Sequence, residues 1–192
     1  MSVVLLLSAT LQAQTTAFPE PAIPGLRYYY PPEKIEARVV ETDVCIYGGT
    51  CAGVVAAIQA DRMGQRVVLL EFGKHLGGLS SGGLSHTDGG DKAVCGGIAR
   101  EFYNIIGQAS FRPSEAEAAF EKLLEPTKVV VRKLAHLDKV EKDGTRIVSI
   151  TMEDGLTVRA KQFIDTTYEG DLLARAGVSW HAGREANSVY NE

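Results

Sequence analysis

The chain is poor in cysteine, and the few cysteines it has are widely spaced. There are three in 192 residues, Cys45, Cys51 and Cys95, and no C-x-x-C pair occurs. Zinc and iron–sulfur sites draw their ligands from closely spaced cysteines, so the sequence indicates neither kind of site and predicts no metal. We expect Cys45 to be a small buried strand residue, and Cys51 to serve packing or a turn.

An excess of positive charge is also lacking. The net charge is −4 and the sequence pI is about 5.6, with the basic residues scattered along the chain. Nucleic-acid binding needs a Lys/Arg-rich face, which this pattern does not provide. The hydrophobic fraction of 45% is ample for a core, and the length allows a single globular domain.

The sequence has no apolar run long enough to cross a membrane. Its first stretch, 1–17, has a short apolar core at Val3–Leu7, followed by small and polar residues with cleavage sites after Ala13 or Ala17. This pattern predicts a secretory signal peptide, and hence a secreted or periplasmic protein of bacterial type, although basic residues before the apolar core are missing. The proline- and tyrosine-rich stretch 18–41 is predicted to be a linker or an extended arm.

The chain is organised around the stretch Thr42–Gly83. An apolar run at Val44–Tyr47 meets Gly48 and Gly49, and a helical pattern of small residues covers 51–63. A second apolar run, Val67–Leu70, then ends on Glu71. Strand, glycine turn, helix and second strand with an acidic tip form the layout that holds the adenosine end of a dinucleotide.

Each position in this unit has a physical role. Gly48 permits a positive φ in the tight turn, and Gly53 lets the helix approach the sheet. The helix N-terminus at Cys51 and Ala52 offers unpaired N–H groups and partial positive charge to a pyrophosphate. Glu71 follows Gly53 by 18 residues, the place of the carboxylate that binds ribose hydroxyls.

Two further features complete the predicted binding surface. Thr50 stands where the middle glycine of G-x-G-x-x-G belongs, so the backbone there must tolerate a Cβ atom. A second glycine cluster contains Gly77, Gly78, Ser80 and Ser81. It is either a surface loop or, as we expect, a segment that wraps the far end of the cofactor with serine hydroxyl donors.

The second half of the chain predicts helices and a β-meander. Helical patterns cover 98–106 and 114–124, the latter with Ser114 as a possible N-cap. Apolar β-type runs follow at 129–131, 137–140, 147–152 and 156–158, and Asp-Gly turns separate the last three. A further buried strand at 162–165 completes the sheet. The fold class predicted is α/β, a Rossmann-like FAD/NAD(P)-binding domain with a parallel sheet and an inserted antiparallel β-meander.

Four sequence blocks carry a resemblance to a known family: DVCIYGGTCAGVVAA, VVLLEFGKHLGGLSSGGLSHTD, GGIAREFYNIIG and FIDTTYEGDLLARAGVSWHAGREA. They resemble the FAD-dependent oxidoreductases related to the glutathione-reductase-like two-dinucleotide-binding flavoproteins, in particular secreted or periplasmic bacterial members. The Y-G-G-T-x-A-G form is similar to the usual version in that subfamily. The resemblance covers most of Thr42–Glu185 and implies FAD as the cofactor.

The resemblance also implies roles for individual residues. The FAD-contacting positions would be Gly48, Thr50, Cys51, Ala52, Gly53, Glu71, Gly77, Gly78, Ser80, Ser81 and Thr167. Asp171 is either a further candidate or merely a cap of the helix that starts at Leu172. Family members continue for several hundred residues, so 42–192 is expected to be the FAD-binding portion of a longer protein, with the substrate domain missing.

No catalytic residue is nominated, because His86 and His181 are better interpreted as ordinary exposed or packed histidines. The predicted activity is flavin-mediated hydride or electron transfer on a small-molecule substrate, with the electron acceptor unspecified. Two alternatives stay open from the sequence. One is an NAD-dependent dehydrogenase domain, in which Glu71 selects NAD over NADP. The other is a non-catalytic nucleotide-binding module.

Overall fold

The computed structural model describes residues 32–84, 86–87, 92–107 and 110–191. The predicted signal peptide, 1–17, and most of the predicted arm, 18–31, lie outside these residues. No helix in the described ranges is long and apolar enough to span a membrane.

A six-stranded sheet forms the centre of the described part of the chain. Its strands are β1 (Arg38–Tyr47), β2 (Val67–Leu70), β3 (Val130–Arg132), β4 (Leu137–Asp143), β5 (Arg146–Met152) and β6 (Leu156–Asp165). They lie in the order β3-β2-β1-β6-β5-β4. The pairs β1–β2, β1–β6 and β2–β3 are parallel, whereas β4–β5 and β5–β6 are antiparallel. The predicted α/β fold, with a parallel sheet and a β-meander, is confirmed.

Three of the described helices pack on one face of the parallel strands, and the opposite face packs in a second core with residues of the meander and of the fourth helix. The helices are α1 (Cys51–Arg62), α2 (Gly97–Ile106), α3 (Pro113–Leu124) and α4 (Asp171–Arg175). Alternation along β1 sends Val44 and Ile46 into the core shared with α1, α2 and α3. Cys45 and Tyr47 enter the opposite core, which includes the meander and Leu172. Because the last part of β1 is buried on both faces, its sequence is a continuous apolar run.

The last strand differs from its prediction. Leu156–Val158 and Gln162–Asp165, expected as separate strands, belong to one strand, β6, which pairs in parallel with β1 from Leu156 to Asp165. Only Thr157–Arg159 also pair with β5. Arg159 and Lys161 are exposed, and these polar residues interrupt the apolar pattern without interrupting the strand. After Arg159, β6 no longer pairs with β5, so the pattern of apolar and polar residues changes along the strand.

The ends of several elements also differ from expectation. β1 begins at Arg38, so residues 38–41, which the sequence places in the arm, belong to the sheet. The N-cap of α3 is Arg112 and not Ser114, because Pro113 occupies the first helical position. Helix α1 ends at Arg62, one residue before the predicted end, with Met63 as its C-cap.

Candidate cofactor site

The predicted binding residues gather at the carboxyl edge of the parallel strands. There β1 leads to Gly48, β2 leads to Glu71 and β6 leads to Thr166. Strand β1 has β2 and β3 on one side and β6 on the other, so the strand order reverses direction at β1. Ligands of open α/β sheets bind in the crevice outside such a switch point.

The turn from β1 into α1 requires its glycines for packing. Gly48 has φ +107°, and its N–H donates to Leu70 O at 2.8 Å. A Cβ atom on Gly48 would lie 2.7 Å from Thr167 N, against backbone that cannot move aside. A Cβ on Gly53 would lie far inside contact with Gly48 O, and 2.7 Å from Thr166 Oγ1. The predicted roles of Gly48 in a positive-φ turn and of Gly53 in close approach are confirmed.

Thr50 is the N-cap of α1, and its side chain is directed into the protein. Its hydroxyl donates to Thr166 O at 2.8 Å and accepts from Gly53 N at 3.3 Å. The residue is only 4% exposed. A Cβ atom at the middle position of the glycine motif is therefore accommodated on the protein side. Of the two residues that follow, Cys51 is half-buried and Ala52 is exposed in the first turn.

Glu71 joins two loops at the end of β2. Its Oε2 accepts the Gly49 N–H and its Oε1 accepts the Gly73 N–H, both at 2.5 Å. The carboxylate is buried, with 6% of the residue exposed. Since a carboxylate offers about four acceptor positions, two remain after these bonds. Glu71 thus orients the glycine turn and still retains acceptor capacity.

The second glycine cluster lies against the first turn. Gly77 N donates to Gly49 O at 2.8 Å, and a short 3₁₀ turn covers Gly78–Ser80. Ser81 is 8% exposed, and its hydroxyl donates to Leu76 O within the loop. Ser80 is half-buried. The cluster therefore lies next to the α1 N-terminus, and the Ser81 hydroxyl donates into its own loop rather than outward.

The loop after β6 contains a network that the sequence did not reveal. Asp165 Oδ1 accepts from Thr167 N at 2.9 Å and from Thr167 Oγ1 at 2.7 Å. Its Oδ2 accepts from Leu173 N at 2.8 Å, and Thr167 Oγ1 accepts from Asp171 N at 2.9 Å. The Thr167 proton is therefore engaged with Asp165. The N-cap of α4 is Gly170, Asp171 is its first helical residue, and Asp165 and Thr167 accept N–H groups of its first turn from outside the helix.

Thr166 and Asp165 are the principal residues that sequence reasoning missed. The Thr166 hydroxyl donates to Gly48 O at 2.6 Å, and its N–H donates to Tyr47 O at 2.9 Å. These bonds fasten β6 to the glycine turn more than 100 residues away in sequence. The local signal was the acidic residue Asp165 at the end of an apolar run, in register with Leu70, the residue that precedes Glu71.

Two ionisable side chains of β1 lie in the core behind the site. Burial raises the pKa of the Cys45 thiol to about 12, so this cysteine is an inert packing residue, as predicted. Burial also raises the pKa of Tyr47 to about 12, and its hydroxyl accepts from Leu137 N at 3.1 Å. No group of three or more potential metal ligands occurs among the described residues.

Cavities do not by themselves locate the site. One of about 470 Å³ lies at the opposite, amino edge of the sheet and is lined by Thr42, Asp61, Arg66 and Lys128. One of about 230 Å³ lies at the carboxyl edge, between Tyr47, Phe72 and Asp171. The convergence of backbone donors, glycines and Glu71 is the better guide, because a dinucleotide lies along a crevice at the edge of the sheet.

The two histidines considered in the sequence lie on the surface. His86 is exposed, with Nδ1 2.7 Å from Ser110 Oγ, and His181 is exposed in the segment after α4. Neither belongs to the group of residues around Gly48 and Glu71 described above.

The fold and this edge define a dinucleotide-binding α/β domain of the flavoprotein type. Residues 43–192 match the model of the family described as FAD dependent oxidoreductase. The chain therefore belongs to the FAD-dependent oxidoreductase family, and its cofactor is FAD. No curated protein sequence matches the chain.

Solved structures with the same fold include three enzymes. The flavin-dependent brominase Bmp2 matches with a TM-score of 0.57 and 19% identity, over 72% of this chain and 41% of its own. Cyclohexanone monooxygenase matches with a TM-score of 0.54 and 13% identity, over 67% of this chain and 26% of its own. The bacillithiol disulfide reductase Bdr of Staphylococcus aureus matches with a TM-score of 0.51 and 19% identity, over 66% of this chain and 38% of its own. The chain thus spans 26–41% of the length of these structures, and the likeness shows the fold.

Proposed function

We propose that this chain is the FAD-binding portion of a flavin-dependent oxidoreductase of the glutathione-reductase-like, two-dinucleotide-binding type. The observation that carries the proposal is the Glu71 carboxylate, which accepts N–H groups of Gly49 and Gly73 beside the N-terminus of α1. Phosphate and ribose subsites of a dinucleotide lie next to each other at such an edge.

The α1 N-terminus fits the pyrophosphate of FAD. Helix α1 has 12 residues, and its cap Thr50 accepts only the Gly53 N–H. The first N–H groups of a helix have no partner within it and carry partial positive charge. Ala52 is exposed at this end, so a phosphate can approach without displacing a large side chain. The proposed pyrophosphate contacts are Gly48, Cys51, Ala52, Gly53, Gly77 and Gly78.

Glu71 fits the adenosine ribose. Ribose hydroxyls are donors, and each oxygen of Glu71 retains acceptor capacity after its bond to a backbone N–H. Thr50, Ser81 and Thr167 act indirectly in this proposal, because their hydroxyls hold the loops around the site. Ser80, which is half-buried in the second loop, is a proposed contact toward the flavin end.

FAD, when bound, supplies hydride and electron transfer, and the residues of this chain bind and orient it. The proposed activity of the whole protein is oxidation or reduction of a small-molecule substrate with a separate electron acceptor. We nominate no catalytic side chain among the described residues.

Titration of the chain with FAD tests the proposal. We expect the protein to bind oxidised flavin with quenching of its fluorescence, and to bind NAD⁺ much more weakly. Glu71→Gln keeps the shape of the side chain but turns one acceptor into a donor. It should weaken FAD binding by about 10- to 100-fold, the worth of a charge-assisted hydrogen bond.

Glu125→Gln, in the exposed C-cap of α3, is the matched control and should bind FAD as the wild type does. A wild-type chain that fails to bind FAD, or a Glu71→Gln variant with unchanged affinity, would contradict the proposed site.

We also propose export to the periplasm or the cell exterior. The apolar core Val3–Leu7 and the small residues up to Ala17 support this proposal. Expression in a bacterial host with N-terminal sequencing of the mature protein tests it. We expect the mature chain to begin after Ala13 or Ala17, and an intact Met1 on cytoplasmic protein would contradict it.

A further inference from the structure

Tyr168 connects the two loops of the candidate site. It follows Thr167 in the loop after β6, and its hydroxyl accepts the Leu79 N–H at 2.8 Å. The two residues are 89 positions apart, so the bond joins the β6 loop to the second glycine cluster. The residue is 54% exposed, so burial in the core does not account for the position of its side chain.

The tyrosine also fits against a glycine. Gly78 has φ +55°, and a Cβ atom there would overlap the Tyr168 hydroxyl and lie 3.0 Å from its Cζ atom. On its other side the same Cβ would lie 3.2 Å from Thr50 Cα. The Gly78 backbone is therefore enclosed between the tyrosine ring and the N-cap of α1.

The preceding part of the loop has other anchors. Gly77 N donates to Gly49 O at 2.8 Å, and Leu76 N donates to Glu117 Oε1 at 3.2 Å. Glu117 of α3 also contacts His75 Nδ1 at 2.7 Å and Lys133 Nζ at 3.2 Å. Gly78 lies between Thr50 and Tyr168, and the Leu79 N–H donates to the Tyr168 hydroxyl.

We infer that Tyr168 is a positioning residue that holds the Gly77–Ser81 loop over the α1 N-terminus in the geometry that retains FAD. This inference rests on the proposed function and goes beyond it, since Tyr168 acts on the loop and not on the cofactor. A loop held in place before binding loses less conformational freedom when FAD binds. Release of the loop then opens the site, so the hydroxyl bond chiefly controls FAD dissociation.

Tyr168→Phe tests the inference because it keeps the ring against Gly78 and removes the acceptor of the Leu79 N–H. The FAD dissociation rate constant should rise by about tenfold, the effect of one hydrogen bond. The association rate constant should stay within about twofold, since mutations at an interface act mainly on dissociation. The urea midpoint of the FAD-free chain should remain that of the wild type, because the freed N–H lies in an exposed segment.

Tyr103→Phe is the control. This tyrosine lies on α2 and packs edge-on against Phe102 at 5.5 Å, away from the loop, so both constants should be unchanged. If wild-type protein binds FAD and Tyr168→Phe releases it at the wild-type rate, the inference is overturned while the proposed function stands. A shifted urea midpoint with unchanged dissociation would overturn it as well, because Tyr168 would then serve stability. If the wild type binds no FAD, both proposals fail together.

Discussion

Two strand-to-helix turns lie side by side at the carboxyl edge of the sheet. They differ in how many N–H groups at the start of the following helix are bonded to side chains. The β1–α1 turn is built from glycines, and its cap, Thr50, accepts one N–H of the 12-residue helix. The β6–α4 turn is built around Asp165, whose carboxylate and whose partner Thr167 accept N–H groups of Leu173 and Asp171.

The difference indicates which turn faces a ligand. A helix N-terminus binds an anion only where its N–H groups are accessible and unpaired, and an internal carboxylate removes that opportunity. Helix α4 has five residues and an acidic first turn, so it also carries little positive end charge. We therefore propose the first turn as the binding turn, and the second turn is bonded to it through Thr166, whose hydroxyl donates to Gly48 O.

The largest effect is expected at Gly53, where the two turns meet. Gly53→Ala places a methyl group against Gly48 O and Thr166 Oγ1, and neither the turn nor the end of β6 can yield without breaking other bonds. We expect a loss of about 3 kcal/mol or more in the free energy of unfolding, measured by urea denaturation.

Gly96→Ala is the control for this change, since a Cβ atom there meets no atom within 4 Å. Its loss should stay below about 1 kcal/mol, the usual scale at an N-cap. Equal losses for both variants would show that the close contact between the turns does not matter.

An intermediate effect is expected at Asp165. Asp165→Asn retains one acceptor but places an amide group where Oδ1 or Oδ2 accepts N–H and O–H donors. We expect a loss of about 2 kcal/mol and faster amide hydrogen exchange in α4. Asp171→Asn, which changes an exposed carboxylate without a capping role, should cost less than about 0.5 kcal/mol. If the two variants lose the same stability, the hydrogen bonds of Asp165 do not stabilise the start of α4.

The smallest effect is expected at Thr50. Thr50→Ala removes the N-cap hydroxyl and its bond to Thr166 O, and should cost about 1 kcal/mol in the free energy of unfolding. Thr50→Ser keeps the hydroxyl and should recover most of this loss in the same urea experiment. Recovery by serine separates the hydrogen bonds from the packing of the threonine methyl, and failure to recover would assign the effect to packing.

The first turn was predictable because its determinants are local in sequence. Gly48, Gly53 and Glu71 fall within one strand–helix–strand unit, and each has a role that spacing and backbone geometry require. The second turn was not predictable in the same way. Asp165 caps α4 only because the loop folds back, and Thr166 meets Gly48 only because β6 pairs with β1.

Continuity of β6 was missed for a related reason. The strand has a meander partner at one end and β1 along its whole length, so its apolar pattern changes at Arg159–Lys161. Likewise, the directions of the Ser81 and Thr167 hydroxyls depend on which acceptor their own loops present, Leu76 O and Asp165. A sequence pattern carries no information on that choice.

The FAD affinity of an Ala52→Asp variant tests the central claim most directly. Ala52 is exposed in the first turn of α1, so a carboxylate there leaves the packing intact and stabilises the helix end by about 0.5 kcal/mol. The same charge repels a pyrophosphate, and we predict at least about a tenfold loss of FAD affinity with equal or higher thermal stability. Ala118→Asp, on the exposed side of α3, should leave affinity unchanged. Unchanged FAD affinity in Ala52→Asp would contradict the assignment of the α1 N-terminus as the pyrophosphate site.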